Sequence, residues 1–448
     1  MAINYHAKKA YSKKRAKRSA FYGVEINPHT KRGLALPIYP DLGRDRPRSG
    51  VGVNTDPRKI KEVLTRGVEK IIEKKSLLKK LTSGKRLRIK HGIDPTGPNI
   101  HIGRAICLWK LREFQELGHQ IVLIIGDFTA QIGDASDKQA MRRPLTEQEI
   151  KENMKNYKKQ IGKILDLKTT EFCYNSKWLN KLSAKDIIRI SMEFTAQQMI
   201  QRRNFKERWE KQKPIGLHEL DYPLLQGYDS VAVKADVEVG GSDQLFNLEV
   251  GRKIQEIYGQ KPQDIITLNM LLGLDGRKMS TSWGNVVNIN DSPRDQYGKI
   301  MSLHDELIVD YLRLTTRMPL KEIEQIDKAL RLKKINPREV KAALAREIVG
   351  LYYGKQAALK AEEEFNRVFR EKKLPSEVPR VKIKEKSLKI LDLLVKVKLV
   401  SSKAQAKRLI LQKGVRIDNK VQEDWQKIIK IKKGMIVQIG KRRFVKVI

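Results

Sequence analysis

The chain has 448 residues, of which 40% are hydrophobic, so it can bury more than one core and is no intrinsically disordered protein. Its only cysteines, Cys107 and Cys173, exclude a disulfide framework and a zinc cluster, and the lack of a secretion signal or a long apolar run favours a cytosolic protein. The 92 Lys or Arg against 52 Asp or Glu give a net charge of +40, which favours a polyanionic partner; a generally basic surface is the alternative.

Residues 1–53 are predicted to form a basic, mostly irregular extension. Positions 1–20 hold seven lysines or arginines and no acidic residue, and eight prolines and glycines interrupt the stretch from position 28 to position 52. A segment of this kind is either a solvated tail or a non-specific contact to RNA.

From residue 54 to about 290 the pattern predicts an α/β domain. A helical pattern begins at Pro57 and continues to Ile72, and a strand at about 86–93, a helix at about 101–117 and an apolar strand at 120–126 follow. Successive strands and helices of this kind indicate a parallel sheet covered on both faces. Helical patterns dominate 146–229, which predicts an insertion between two halves of the sheet.

Beyond the sheet, three further segments are predicted. Residues 291–372 have a helical pattern, residues 373–386 form a linker, and residues 387–448 form a small basic domain. From Ser387 onwards, 17 Lys or Arg against 4 Asp or Glu give a net charge of +13.

Two segments about 175 residues apart carry features of phosphate binding. His101–Arg104 begins a helix directly after a strand and a Pro/Gly turn, where backbone N–H groups and the helix dipole favour a phosphate. Lys278–Ser282 follows a turn sequence, and its lysine could neutralise a leaving pyrophosphate in the transition state. An exposed basic turn would also explain the second segment. Together the two predict a nucleotide held between two halves of one α/β domain.

A second group of residues is suited to a small zwitterion that carries a hydroxyl group. Tyr222, Gln226 and Asp229 are spaced by four and three residues and therefore share one helical face. Thr129 and Asp134 follow the apolar strand, at the edge where ligands bind in open α/β sheets. A solvated helix face is the alternative for the triplet.

The segment Gly240–Gln244 follows another strand. Its glycines allow close approach of a ligand to the backbone, and its acid and amide could bind ribose hydroxyls or an ammonium group. A tight structural turn is the alternative.

Together these segments resemble class I tyrosyl-tRNA synthetases of the bacterial type over about residues 56–448. The two signature segments are accompanied, in the family's order, by similar segments at 115–119, 125–129, 217–220, 226–230 and 240–244. Residues 402–418 resemble an S4-type RNA-binding domain. The resemblance implies a Rossmann-like parallel-sheet catalytic domain with a helical insertion, an α-helical anticodon-region domain at 291–372 and a small α+β S4-like domain at 387–448.

The resemblance also implies an activity. Such an enzyme activates tyrosine with ATP and Mg²⁺, without a protein-bound metal site, and transfers tyrosine to the 3′-terminal ribose of tRNA(Tyr), usually as a homodimer. A tryptophan-charging enzyme and a non-catalytic RNA-binding paralogue are the alternatives.

Site residues follow from the resemblance position by position. The expected catalytic residues are His101, Gly103, Arg104, Lys278, Ser280 and Thr281. The expected ATP-binding residues are Thr96, His101, Gly103, Arg104, Gly241, Asp243, Lys278 and Met279. The expected tyrosine-binding residues are Lys90, Asp94, Thr129, Asp134, Tyr222, Gln226, Asp229 and Gln244, with Asp229 at the phenolic hydroxyl and Asp134, Tyr222 and Gln226 at the ammonium group.

Three positions depart from the family pattern. Arg104 replaces the second signature histidine, which changes the geometry of its donors. Thr281 replaces the second lysine of the loop, which removes a cation near the leaving group. Lys90 stands where another subfamily has a tyrosine that shares the substrate hydroxyl; it is expected either to pair with Asp229 or to face solvent.

Overall fold

The computed structural model describes residues 52–134, 144–371, 378–440 and 443–448. The predicted extension 1–53 therefore lies almost entirely outside the described residues. The chain divides into two compact units, Met1–Leu359 and Lys360–Ile448. Among the described residues, no helix is both long enough and apolar enough to cross a membrane.

The first unit is built on a six-stranded sheet with the order β1-β6-β5-β2-β3-β4. Strands β2 to β6 run parallel to their neighbours, and β1 pairs antiparallel with β6 at one edge. The strands are β1 Val68–Ile72, β2 Arg88–Ile93, β3 Gln120–Ile125, β4 Thr170–Tyr174, β5 Val237–Gly241 and β6 Asp264–Leu268. This arrangement confirms the predicted parallel-sheet α/β class.

Helices cover the sheet and continue beyond it. Those up to the end of the sheet are α1 Pro57–Val63, α2 Lys74–Thr82, α3 Ile102–Glu116, α4 Thr129–Ile132, α5 Glu147–Met154, α6 Tyr157–Ile161, α7 Ser176–Leu179, α8 Ala184–Ser191, α9 Ala196–Ile200, α10 Arg203–Glu210, α11 Leu217–Ala232 and α12 Leu245–Ile257. Those that follow are α13 Pro293–Ile300, α14 Ile308–Thr315, α15 Leu320–Arg331, α16 Pro337–Tyr353 and α17 Lys355–Phe369. The helices α13 to α17 lie within the segment 291–372, where a helical pattern was predicted.

The predicted helix from Pro57 to Ile72 is wrong in its second half. Helix α1 ends at Val63, and Val68–Ile72 forms the edge strand β1. Gly67 has a φ of +63°, a conformation that interrupts a right-handed helix. Beyond it, the β-branched residues pair antiparallel with β6, a tertiary contact that the spacing of apolar residues does not reveal.

Helices dominate the segment 146–229, as the sequence pattern predicted, but the segment also contains the strand β4. This strand extends the sheet by pairing parallel with β3, so that Ile125 lies opposite Tyr174. Only Thr170 among its five residues is buried, so β4 is an edge strand without the continuous apolar run that identified β3.

Besides most of α17, the described residues of the second unit contain the helices α18 Ile390–Lys396 and α19 Lys403–Leu411, packed with short strands. Its larger sheet has the order β10-β9-β12-β13-β7, and β11 pairs with β8. The strands are β7 Arg380–Val381, β8 Ser387–Lys389, β9 Val415–Ile417, β10 Lys420–Val421, β11 Ile428–Lys430, β12 Ile436–Ile439 and β13 Arg443–Val447. Strand β7 lies within the predicted linker 373–386, so the sheet of this unit begins before residue 387.

Candidate active site

The candidate site lies at the carboxyl ends of the neighbouring strands β5, β2 and β3. Asp94 follows β2 directly, Thr129 begins α4 after β3, and Ser242–Gln244 forms a 3₁₀ turn after β5. Since the carboxyl ends of parallel strands meet at one edge of a sheet, residues far apart in the sequence converge here. Helix α11 lies beside this edge and contacts α4 and α12.

Asp94 is the centre of a hydrogen-bonded group at this edge. The Thr129 hydroxyl donates to Asp94 Oδ1 at 2.8 Å, and the Tyr222 hydroxyl donates to Oδ2 at 3.0 Å. A side chain at position 126 would overlap both Asp94 and Thr129, so Gly126 is required for this close approach. Burial raises the pKa of Asp94 to about 6, against the opposing effect of the two hydroxyl donors.

Asp229 is buried at the same site, on the inner face of α11. Trp178 Nε1 donates to Asp229 Oδ1 at 2.8 Å, and Asn175 Nδ2 lies 3.4 Å from Oδ2. Asn175 Nδ2 also lies 3.0 Å from Thr129 Oγ1, which links the Asp229 group to the Asp94 group. Burial raises the pKa of Asp229 to about 7. Trp178 and Asn175 were not among the predicted site residues; both lie just after the strand β4, which was also not predicted.

A second series of amides continues from Gln226, one turn before Asp229. Asn247 Nδ2 donates to Gln226 Oε1 at 2.8 Å and to Gln244 Oε1 at 3.1 Å. Gln244 Nε2 in turn donates to Asp134 Oδ2 at 2.6 Å, and the Arg202 guanidinium lies 3.5 Å from Asp134 Oδ1. Gln226, Gln244 and Asp134 were predicted site residues, whereas Asn247 and Arg202 were not.

Lys90 meets neither of the two expectations from the sequence. Its side chain is fully buried, so it does not face solvent, and its ion-pair partner is Glu238 rather than Asp229. Nζ lies 2.8 Å from Glu238 Oε1, 2.8 Å from Ser230 Oγ and 3.2 Å from the carbonyl oxygen of Gln226. Glu238 was not among the predicted site residues, because β2 and β5 become neighbours only in the folded sheet.

The first signature segment forms the start of α3, as predicted. His101 is the N-cap residue, and its Nδ1 accepts from the backbone N–H of Arg104 at 3.3 Å. Burial lowers the pKa of His101 to about 3, so its ring is neutral near pH 7. Arg104 donates to the hydroxyl of Thr96 at 2.6 Å, which directs its guanidinium towards the turn after β2.

The two signature segments are in contact. A Cβ atom at Gly103 would lie 2.9 Å from Met279 Sδ, so the second segment packs directly on the start of α3. The chain beyond the loop pairs with the same region, since Ile102 N–H donates to the Val287 carbonyl at 2.8 Å. The structure therefore brings together the two segments on which the nucleotide prediction depends.

Asn285, which was not among the predicted site residues, anchors the loop that carries Lys278. Its Oδ1 accepts from Ser280 N–H at 2.8 Å, and its Nδ2 donates to the Lys278 carbonyl at 3.0 Å and to Asp275 Oδ1 at 2.8 Å. The side chain is buried against Gly273, where a Cβ atom would overlap the Asn285 amide. In the sequence, Gly273 and the asparagine that ends Trp283-Gly284-Asn285 were the features that could have indicated this anchor of the loop.

The other residues predicted to bind the nucleotide differ in how far their side chains are exposed to solvent. Met279 is buried, Lys278 and Ser280 are half-buried, and Thr281 and Asp243 are exposed. Gly241 precedes Asp243, and a side chain at 241 would approach Asp243 Oδ1 to 2.7 Å. Within the described residues, no group of three or more His, Cys, Asp or Glu is placed to hold a metal ion.

Two family models match the chain in succession. The model described as tRNA synthetases class I (W and Y) matches residues 82–370, and the tyrosine--tRNA ligase SYY-like C-terminal domain matches residues 371–447. The tyrosine--tRNA ligase of Thermotoga maritima is 45% identical over 87% of this chain and 98% of its own length. That of Aquifex aeolicus is 42% identical, over 88% of this chain and 99% of its own length.

Solved structures show the same fold for about two thirds of the chain. A C-terminally truncated mitochondrial tyrosyl-tRNA synthetase from Aspergillus nidulans has a TM-score of 0.58 at 22% identity, covering 69% of this chain and 94% of its own. The tyrosyl-tRNA synthetase from Archaeoglobus fulgidus, complexed with L-tyrosine, has a TM-score of 0.55 at 22% identity, covering 68% of this chain and 99% of its own.

Proposed function

The chain belongs to the class I tRNA synthetases, among the tyrosine--tRNA ligases, and we propose that it forms tyrosyl-adenylate from tyrosine and ATP and charges tRNA(Tyr). The observation that carries the proposal is the hydrogen-bonded connection from the buried Asp229 through Asn175 and Thr129 to Asp94, beside the two signature segments. A carboxylate inside an amino-acid pocket and a phosphate site at its rim are the two requirements of this reaction.

Tyrosine is recognised at both of its ends. Asp94, Tyr222 and Gln226 offer oxygen atoms to the ammonium group, with Asp134 and Gln244 completing this end of the pocket. Asp229 accepts a hydrogen bond from the phenolic hydroxyl. Trp178 and Asn175 fix the orientation of that carboxylate because they donate to its two oxygens. In this family, a site built to bind a substrate hydroxyl rejects an analogue that lacks it, since the buried polar groups are then left unpaired.

Lys90 is not a tyrosine ligand in this proposal, which corrects its predicted role. Its ammonium group is buried beneath α11 and is already surrounded by three oxygen atoms. Thr129 contributes by holding Asp94 in place rather than by direct contact, because its hydroxyl donates to Asp94 Oδ1.

ATP, as its Mg²⁺ complex, lies over the start of α3. His101 and the helix N-terminus face the triphosphate, Gly103 permits close approach of the adenosine, and Asp243 binds the ribose. The tyrosine carboxylate attacks the α-phosphorus while the bond to the β-phosphate oxygen breaks and pyrophosphate leaves. Lys278 and Arg104 stabilise the charge that develops on the departing phosphates, so catalysis depends on positioning and electrostatics rather than on side-chain acid–base steps.

We assign residues 54–290 to catalysis and two further segments to tRNA binding. Residues 291–372 contact the anticodon region, and residues 387–448, with their net charge of +13, form an S4-like contact with the tRNA backbone. We propose that the enzyme acts in the cytoplasm.

We further propose that the enzyme is a homodimer whose interface involves the insertion. Apolar side chains on helices and turns of this region are largely exposed: Ile188 at 60%, Met192 at 80%, Trp209 at 64% and Leu217 at 80%. Large exposed apolar groups concentrated in one part of a chain are typical of a protein interface.

The direct test is ATP–pyrophosphate exchange with each amino acid in turn. We expect exchange with tyrosine and not with tryptophan or phenylalanine, followed by charging of tRNA(Tyr). Lys278→Ala should slow adenylate formation far more than it weakens tyrosine binding, because the lysine acts at the phosphates. Exchange driven by tryptophan, or no exchange while RNA still binds, would refute the proposal.

A further inference from the structure

Lys90 and Glu238 form a buried ion pair beneath the tyrosine pocket. Their side chains are 1% and 2% exposed, and the Nζ–Oε1 distance is 2.8 Å. The pair crosses from β2 to β5, which are adjacent strands with Lys90 and Glu238 in register. Ser230 Oγ lies 2.8 Å from Lys90 Nζ and 3.2 Å from Glu238 Oε2, and Gln263 donates to the same carboxylate.

The ammonium end of this pair is held against the helical turn that carries Asp229. Its two other contacts are to the carbonyl of Gln226 and the hydroxyl of Ser230, three residues before and one residue after Asp229. A buried ion pair is usually no more stabilising than well-packed apolar side chains. Its presence directly under a functional carboxylate therefore calls for a functional explanation.

Two charged groups on neighbouring strands act on Asp229: Lys90 on β2 favours its ionised form, and Glu238 on β5 opposes it. Tyr222, on the same helix as Asp229, adds no charge because burial raises its pKa well above the ordinary value. Trp178 and Asn175 add neutral donors. Burial is the largest influence and raises the pKa of Asp229 to about 7; Lys90 is the largest charge effect and lowers it, and Glu238 raises it by a smaller amount.

We propose that Lys90 and Glu238 are positioning residues that set the ionisation of Asp229, and through it the strength with which the enzyme selects an amino acid bearing a phenolic hydroxyl. This inference rests on the proposed function. An ionised carboxylate accepts a much stronger hydrogen bond from a phenol than a protonated carboxyl does. Lys90 holds Asp229 in the accepting form, and Glu238 limits that effect.

The two partners of one ion pair should therefore have opposite effects on the pH dependence of tyrosine binding. Glu238→Gln removes the charge that opposes ionisation, so the KM for tyrosine should begin to rise only at a lower pH than in the unaltered enzyme. Lys90→Met combined with Glu238→Gln removes both charges without leaving a buried carboxylate unpaired. Because the effect of Lys90 is the larger, this double variant should lose tyrosine affinity at a higher pH.

The experiment is tyrosine-dependent pyrophosphate exchange between pH 6 and pH 8.5. If the pKa of Asp229 rises by about one unit in the double variant, the ionised fraction at pH 7 falls from about one half to about one tenth, and the KM for tyrosine rises about fivefold. At pH 8.5 the difference should nearly disappear. The KM for ATP should not change with the variant at either pH.

Lys110→Met is the matched control, because Lys110 forms a buried ion pair with Glu113 elsewhere in the same unit. It should lower thermal stability without moving the pH profile. The inference would be overturned if the pH profiles of the KM for tyrosine coincide, or if they move in the same direction in both test variants. Tyrosine-dependent exchange at pH 8.5 would in that case still support the proposed function. If the double variant does not fold, the profile of Glu238→Gln decides, since only a shift to lower pH agrees with the inference. Absence of tyrosine-dependent exchange in the unaltered chain would overturn both.

Discussion

Replacing Asn285 with alanine should slow adenylate formation while leaving tyrosine binding unchanged. The substitution removes three hydrogen bonds, to Ser280 N–H, the Lys278 carbonyl and Asp275 Oδ1. At about 1 kcal/mol each, the three hydrogen bonds stabilise the loop conformation by about 3 kcal/mol. Losing all of that stabilisation would lower the rate by about a hundredfold at most. A displacement of about 1 Å at Lys278 is enough to reach that limit.

The assay is the pre-steady-state rate of adenylate formation, measured beside the dissociation constant for tyrosine. We expect the rate to fall roughly tenfold to a hundredfold. The dissociation constant for tyrosine should stay the same, because the hydrogen-bond partners of the Asn285 side chain all lie in the segment 275–280. None of them is a residue of the proposed tyrosine site, such as Asp229 or Asp94. A double-mutant cycle with Lys278→Ala tests whether Asn285 acts through the lysine, since the two effects should then be strongly non-additive.

Gln115→Ala provides the control for a general loss of stability. Gln115 is buried and anchors another loop, accepting from Asp166 N–H at 2.9 Å and donating to the Asp166 carbonyl and the Thr170 hydroxyl at 3.0 Å. This variant should lower the melting temperature without a selective loss of adenylate rate. Additive effects of Asn285→Ala and Lys278→Ala, or an unchanged rate in Asn285→Ala, would refute the reasoning.

Three other substitutions probe different parts of the site. Trp178→Phe removes the donor to Asp229 Oδ1 and should weaken tyrosine binding by roughly tenfold to a hundredfold, as measured by equilibrium dialysis, because a hydrogen bond to a charged group contributes about 1.5–3 kcal/mol. Thr281→Lys restores a cation beside the departing pyrophosphate and should raise the adenylate rate several-fold in stopped-flow measurements; a lower rate would show that the exposed position is unsuited to a charge. Leu217→Arg should convert the dimer to a monomer in sedimentation experiments, and an unchanged mass would remove Leu217 from the interface.

The sequence was sufficient for features that depend on neighbours along the chain. Apolar periodicity located the β2, α3 and β3 segments to within two residues at each end, because those elements satisfy their backbone hydrogen bonds with regular patterns of buried residues. The spacing of Tyr222, Gln226 and Asp229 placed them on one face of a helix, because residues three or four apart lie close together on a helix. The signature segments were recognisable because both are short and continuous.

Tertiary structure decided the features that depend on pairing between distant residues. The edge strands β1 and β4 are stabilised by their neighbours in the sheet rather than by an apolar run of their own. The partner of Lys90 depended on which strand lies beside β2, and the donors to Asp229 come from a helix and turn that follow β4. Hydrogen bonds and ion pairs are short-ranged and leave no periodic signal in the sequence, so these contacts became visible only when the chain was folded.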